Sequence, residues 1–100
     1  MTATLSFKFP MGVLVLTNGV SAKCTDNEDF SRFVSDSIKR HGSGDWGEVS
    51  EHDRQANDDA FIKGQEDRVL SSYTYKDGTR IWLLTEWNRS ITTVLFPDEY

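Results

Sequence analysis

The chain has 100 residues, a net charge of −5, 37% hydrophobic residues and twelve aromatics. That length holds one domain with one modest core, that apolar content excludes a disordered chain, and no apolar run nears the ~20 residues that cross a bilayer. A single cysteine, Cys24, excludes an intrachain disulfide, and the acidic balance lacks the basic surplus that displaces counterions from nucleic-acid phosphates.

Met1 to Lys8 carries no charged leader followed by an apolar stretch, so no secretory signal is expected. With Cys24 read as an inert thiol in a reducing compartment, the expected location is the cytoplasm. The run Gly12-Val13-Leu14-Val15-Leu16-Thr17 predicts a first strand or extended arm, ended by a turn at Asn18-Gly19. A helix follows, capped by Thr25 or Asp26. Glu28 and Asp29 suit its first turn, Phe30, Phe33, Val34 and Ile38 form its apolar stripe, and Lys39 and Arg40 suit its end.

Next comes a segment with neither helical nor strand periodicity: Arg40-His41-Gly42-Ser43-Gly44-Asp45-Trp46-Gly47. Three glycines, a histidine, an aspartate and a tryptophan exceed the needs of a plain connector. Ser50 is placed to cap a second helix running to about Lys63, with Asp53 three residues on and Gly64 as its stop. Its stripe of Val49, Ala56, Ala60 and Phe61 is thin, which predicts a largely exposed surface helix. Between Asp45 and Asp67 eight acids face two bases, a local charge of −6. Such a face is either a solvated helix surface or a surface for a basic partner.

From Arg68 the period switches to two. Val69 to Tyr75 and Thr79 to Thr85 flank Lys76-Asp77-Gly78, where Asp-Gly supplies positive-φ residues for a hairpin. Ser90 to Phe96, ending at Pro97, predicts a further antiparallel strand. The expected fold is α+β: two helices packed on one face of a small antiparallel β-meander of three to four strands.

The pattern Arg40-His41-x-x-Gly44-Asp45-Trp46-Gly47, Asp53, Asn57, Arg68-x-Leu70-Ser71-x-Tyr73 continues as Ile81-Trp82-x-x-Thr85-Glu86-x-x-Arg89-Ser90-x-Thr92-Thr93-x-Leu95-x-Pro97-x-Glu99-Tyr100. It resembles a family of small bacterial proteins carried on plasmids and other mobile elements, called plasmid-related protein and sometimes labelled a type I restriction endonuclease subunit. The resemblance spans Arg40 to the C-terminal residue; before Arg40 only Phe9-Pro10-Met11-Gly12 fits, and Glu66-Asp67 departs from the pattern. It implies a mobile-element setting in host defence or its evasion, and no established activity.

Two functions fit these residues. In the first, the protein binds a macromolecular partner with a basic surface through Asp45, Trp46, Asp53, Asn57, Trp87, Ser90, Thr92 and Thr93, without a cofactor or a metal. In the second, His41, Glu86 and Arg89 form a metal-independent phosphodiester-transfer set in which a base, a carboxylate and an anion-binding guanidinium act on RNA. The layout of helices before a sheet resembles ribonuclease toxins of the barnase, colicin and RelE type. Only this second function requires nucleic acid.

The same residues also have plain structural roles. His41 is suited to end a helix in its charged form, Asp45 to accept amides in an Asx turn, and Trp46 to plug the core. Glu86 and Arg89 are suited to an ion pair, Thr92 and Thr93 to strand formation, Trp82 to the core and Trp87 to its rim. A homodimer through an exposed sheet edge also fits.

Overall fold

The computed structural model describes residues 10–62 and 67–100. The expectations placed on Met1 to Lys8, Phe9, Lys63, Gly64 and Glu66, and on the Phe61 side chain, lie outside the described residues. In chain order the elements are β1 (Val13–Leu16), α1 (Asn18–Asp26), α2 (Glu28–Gly42), α3 (Glu51–Ile62), β2 (Val69–Thr74), β3 (Arg80–Thr85), β4 (Ile91–Leu95) and a closing 3-10 turn, Pro97–Glu99.

The α+β class holds, while helix count and sheet type need correction. Three helices are present, and the four-stranded sheet is mixed, in the order β1-β4-β3-β2. β2, β3 and β4 form the expected antiparallel meander. β1 joins it parallel to β4, in the register Val13 to Ile91 through Leu16 to Val94. The helices therefore do not simply precede the sheet. The chain leaves β1, runs through them and the hairpin, and its last strand returns beside the first in the same direction.

The turn expected at Asn18-Gly19 is instead the start of α1. Thr17 lies in extended backbone and its Oγ1 accepts the Val20 N–H at 3.4 Å, so a hydroxyl cap overrides the turn preference of Asn-Gly. Thr25 and Asp26 fall inside α1, and the cap of α2 is Asn27, whose Oδ1 accepts the Phe30 N–H at 3.1 Å. On α2 the expected stripe is in place: Phe30 and Val34 are buried, with Phe33 and Ile38 packed against them. Ser50 caps α3 as expected, accepting the Asp53 N–H at 3.1 Å. α3 is largely exposed; Ala60 is buried, but Ala56 faces solvent and leaves the expected stripe.

In the β2–β3 hairpin only Gly78 of the Asp-Gly pair takes positive φ, at 92°. Asp77 instead accepts the Thr79 N–H through Oδ1 at 2.8 Å. The main core lies between α1, α2 and the sheet and contains Val20, Phe30, Val34, Tyr73, Ile81, Leu83 and Val94. A second cluster of Met11, Trp46, Ala60 and Val69 packs under the glycine-rich segment and α3.

Candidate functional site

His41 is the innermost of the candidates. The stripe of α2 continues past Phe30 and Val34 through Ser37 to His41, which is 0% exposed. It does not end the helix as a charged cap. The last carbonyls are taken by the following backbone, with Ser43 N–H reaching Lys39 and Arg40 and Gly44 N–H reaching His41 at 3.1 Å. The imidazole points into the sheet, where Nδ1 lies 2.5 Å from Ser71 Oγ and Nε2 lies 2.8 Å from Thr85 Oγ1.

The direction of this chain of hydrogen bonds follows from its far end. Thr92 Oγ1 donates to the Met11 carbonyl at 2.6 Å, so its hydroxyl hydrogen is committed. Thr85 Oγ1, 2.7 Å away, must then donate to Thr92 and accept from His41 Nε2–H. In the neutral ring that leaves Nδ1 to accept from Ser71. Burial, with the positive charge of Arg89 second, pushes the His41 pKa down to about 3, so the neutral tautomer is the folded-state form. One side chain thus ties α2 to β2 and β3 and, through Thr92, to β4 and the segment before β1. The Arg40-to-Gly47 segment and the Thr85-to-Thr93 stretch meet here, below the surface.

The Arg40-to-Gly47 segment is held in one shape by its own charges. The Arg40 guanidinium grips Asp45 through Nε at 2.7 Å and Nη2 at 3.2 Å and lies over the Tyr73 ring, 4.6 Å from its centroid. Asp45 also accepts the Gly47 N–H at 3.2 Å, the expected Asx contact, and its carboxyl sits below the usual range because Arg40 donates to it. Gly44 and Gly47 take φ of 83° and 70°, where a side chain is strained. Trp46 plugs the core as expected, 4% exposed, with Nε1–H donated to Asp58 at 2.9 Å and its ring edge-on to His41.

This segment closes the outer edge of β2. Ser72 N–H donates to Trp46 O at 3.1 Å, and Glu48 N–H donates to Ser72 O at 2.7 Å. Two residues earlier, Asn57 of α3 takes the place of a strand: its Nδ2 donates to Leu70 O at 2.6 Å and its Oδ1 accepts Leu70 N–H at 3.1 Å. Asn57 is 3% exposed and Trp46 4%, so both are largely enclosed.

The β3–β4 turn is built differently. Arg89 has φ 59°, and its Nη1 donates to the carbonyls of Asp67 at 2.6 Å and Glu86 at 3.3 Å. Nη2 reaches Ala60 O at 3.4 Å, so the turn is fastened to the end of α3. Ser90 Oγ donates to Asn88 Oδ1 at 2.6 Å. Thr92 is buried and Thr93 half-buried on β4. Trp82 is half-buried against Tyr100, whereas Trp87 on the turn is 54% exposed.

What stays open is the acidic face of α3. Glu51 and Asp53 are exposed and Asp58 and Asp59 half-exposed, with Arg54 paired to Glu51 and Asp58. A cleft of about 100 Å³ runs beside it, lined by Asp53, Ala56, Asn57, Asp67, Arg68 and Leu70. A larger, shallow hollow of about 470 Å³ lies away from every candidate, between Lys23, Thr79, Arg80, Phe96, Pro97 and Asp98. Among the described residues no group of three or more His, Cys, Asp or Glu could hold a metal ion, and no helix is long and apolar enough to cross a membrane.

Ser71, Thr85 and Tyr73, which belong to the sequence pattern but to neither the catalytic nor the binding set, do much of the positioning. The spacing Phe30, Val34, Ser37, His41 is the signal that places His41 on the buried stripe. Comparison with protein-family models, with curated proteins and with solved structures gives no match.

Proposed function

We propose that this protein is a macromolecule-binding module whose partner presents a basic surface. The observation that carries this reading is an acidic, aromatic-edged face: exposed carboxylates along α3, with Arg89 fastening the turn that bears the exposed Trp87 to the end of that helix. Held on a rigid helix and a braced turn, these groups lose little freedom on binding. Charge attraction steers the encounter, and the indole supplies an apolar contact of the kind that concentrates binding energy.

The ribonuclease alternative draws less support. A general base must reach the proton it removes, and His41 is fully buried with both ring nitrogens bonded to hydroxyls. The setting in host defence or its evasion rests on the resemblance of the stretch from Arg40 to Tyr100 and on nothing else.

The test is a titration with a lysine-rich peptide followed by tryptophan emission, at low and at high salt. Binding that weakens with salt, and that weakens further in Trp87→Ala and in the Asp53→Asn/Asp59→Asn pair, supports the reading. Absence of binding by basic peptides sinks it. Incubation with RNA in EDTA is the companion experiment; RNA should survive, and cleavage lost in Arg89→Ala would install the ribonuclease reading instead.

A further inference from the structure

The two edges of the sheet are β1 and β2, and they are treated oppositely. Along β2 the outward backbone groups of Leu70 and Ser72 are all engaged. Along β1 the ladder to β4 uses the N–H groups of Val13, given to Ser90 O, and of Thr17, given to Val94 O. The alternation of a strand then turns the N–H and C=O of Leu14 and Leu16 away from β4. Among the described residues no strand pairs with them. All four side chains are apolar and exposed: Val13 64%, Leu14 45%, Val15 40% and Leu16 38%. Ile91, beside Val13 in the register, is exposed as well.

Natural proteins blunt such an edge with lysine, proline or a bulge, and this one carries none of these between Val13 and Leu16. We infer that a second copy of this chain docks here, β1 against β1 in antiparallel fashion, to double the four-stranded sheet. The proposal concerns a different surface from the acidic face of α3 and stands apart from that function.

Three observations select a second copy as the occupant. First, a two-fold axis through Val15 sets Leu14 opposite Leu16 of the second copy. Their outward N–H and C=O groups then exchange hydrogen bonds, so the edge is self-complementary. Second, residues 9 to 22 contain no charged side chain in a chain of net charge −5, whereas the acidic α3 packs on β2, at the opposite side of the sheet. Joining at β1 keeps the two acidic helices apart, so the contact forms where like-charge repulsion is smallest. Third, the closed β2 edge stops further addition, so pairing ends at a dimer and does not run on into a fibre.

The experiment is sedimentation equilibrium of the full chain between about 1 and 200 µM, with amide hydrogen exchange of Leu14 and Leu16 at both ends of that range. The expected result is a shift from monomer mass to twice that mass, with exchange at Leu14 and Leu16 slowing at least tenfold as the dimer fills. Leu14→Lys and Val13→Lys, on opposite faces of an already exposed strand, should both stay folded by circular dichroism and sediment as monomers. A wild-type chain that is monomeric throughout overturns the proposal, whether its Leu14 amide exchanges fast or is protected by another part of the same chain. A dimer that survives both lysine variants with fast exchange at Leu14 overturns it too. Neither result bears on basic-peptide binding by α3.

Discussion

The two edges of the sheet present the same backbone chemistry to their surroundings and meet opposite fates. At β2 a side-chain amide and a short extended segment supply the partners a neighbouring strand would give, and the Arg40–Asp45 pair holds that segment in place. At β1 four apolar residues stand exposed with no charge among them. The contrast separates two uses of polar residues. Asp45, Trp46 and Asn57 look like binding groups by type and are committed to closing an edge, while the edge proposed for self-association is the one that lacks charged groups.

The contrast can be broken most severely at Gly47. A Cβ there would overlap the Ser72 carbonyl oxygen and the Tyr73 ring, in a backbone with φ of 70°. Gly47→Ala should cost about 4 kcal/mol or more in urea unfolding, or abolish folding. Asn57→Ala removes both bonds to Leu70 and strands its part-buried N–H and C=O, so it should cost roughly 2 kcal/mol. If Asn57→Ala proves nearly neutral, water replaces the amide and the β2 edge is less tightly closed than described.

Acid offers a graded version. The folded-state pKa of His41 lies below the unfolded value of about 6.5, so the unfolded chain binds the extra proton. Its contribution is fully present above pH 6.5 and is lost as the pH falls toward about 3, by roughly 1.4 kcal/mol per pH unit. The carboxyls of Asp29, Asp45, Glu51, Asp77 and Glu99, all held low by hydrogen-bonding partners, add losses only further into the acid range. Unfolding midpoints measured from pH 7 to 5 should slope downward in the native chain and lie nearly flat in His41→Gln, whatever that variant costs at neutrality. On the open side the effect is smallest: Val13→Thr should change monomer stability by less than about 0.5 kcal/mol, since the side chain is already 64% exposed.

Local signals were readable in the residues. The Lys76-Asp77-Gly78 hairpin, the Phe30/Val34 stripe, the Ser50 cap and the exposed α3 all depend on neighbours a few positions away. Pairings between distant segments were not. Nothing near Val13 specifies that Ile91 will lie beside it, and nothing near Asn57 reveals that Leu70 needs its amide. Thr17 shows a local failure, since it and Asn18-Gly19 offer competing signals and the hydroxyl cap prevails. His41 shows a chemical one: a histidine reads as reactive by type, and this one is buried between Ser71 and Thr85, contributed by other elements.

The parallel pairing of β1 with β4 also sets an order of assembly during synthesis. Thr92 and the Met11 carbonyl it bonds are 81 positions apart, so the early strand emerges from the ribosome long before its partner exists. Until residues 91 to 95 are free, Val13 to Leu16 lacks the partner strand it pairs with in the folded sheet. Among the described strands β4 is the one that joins β1 to the hairpin, so a chain stalled before residue 91 would leave Val13 to Leu16 without the sheet neighbour it has in the folded protein.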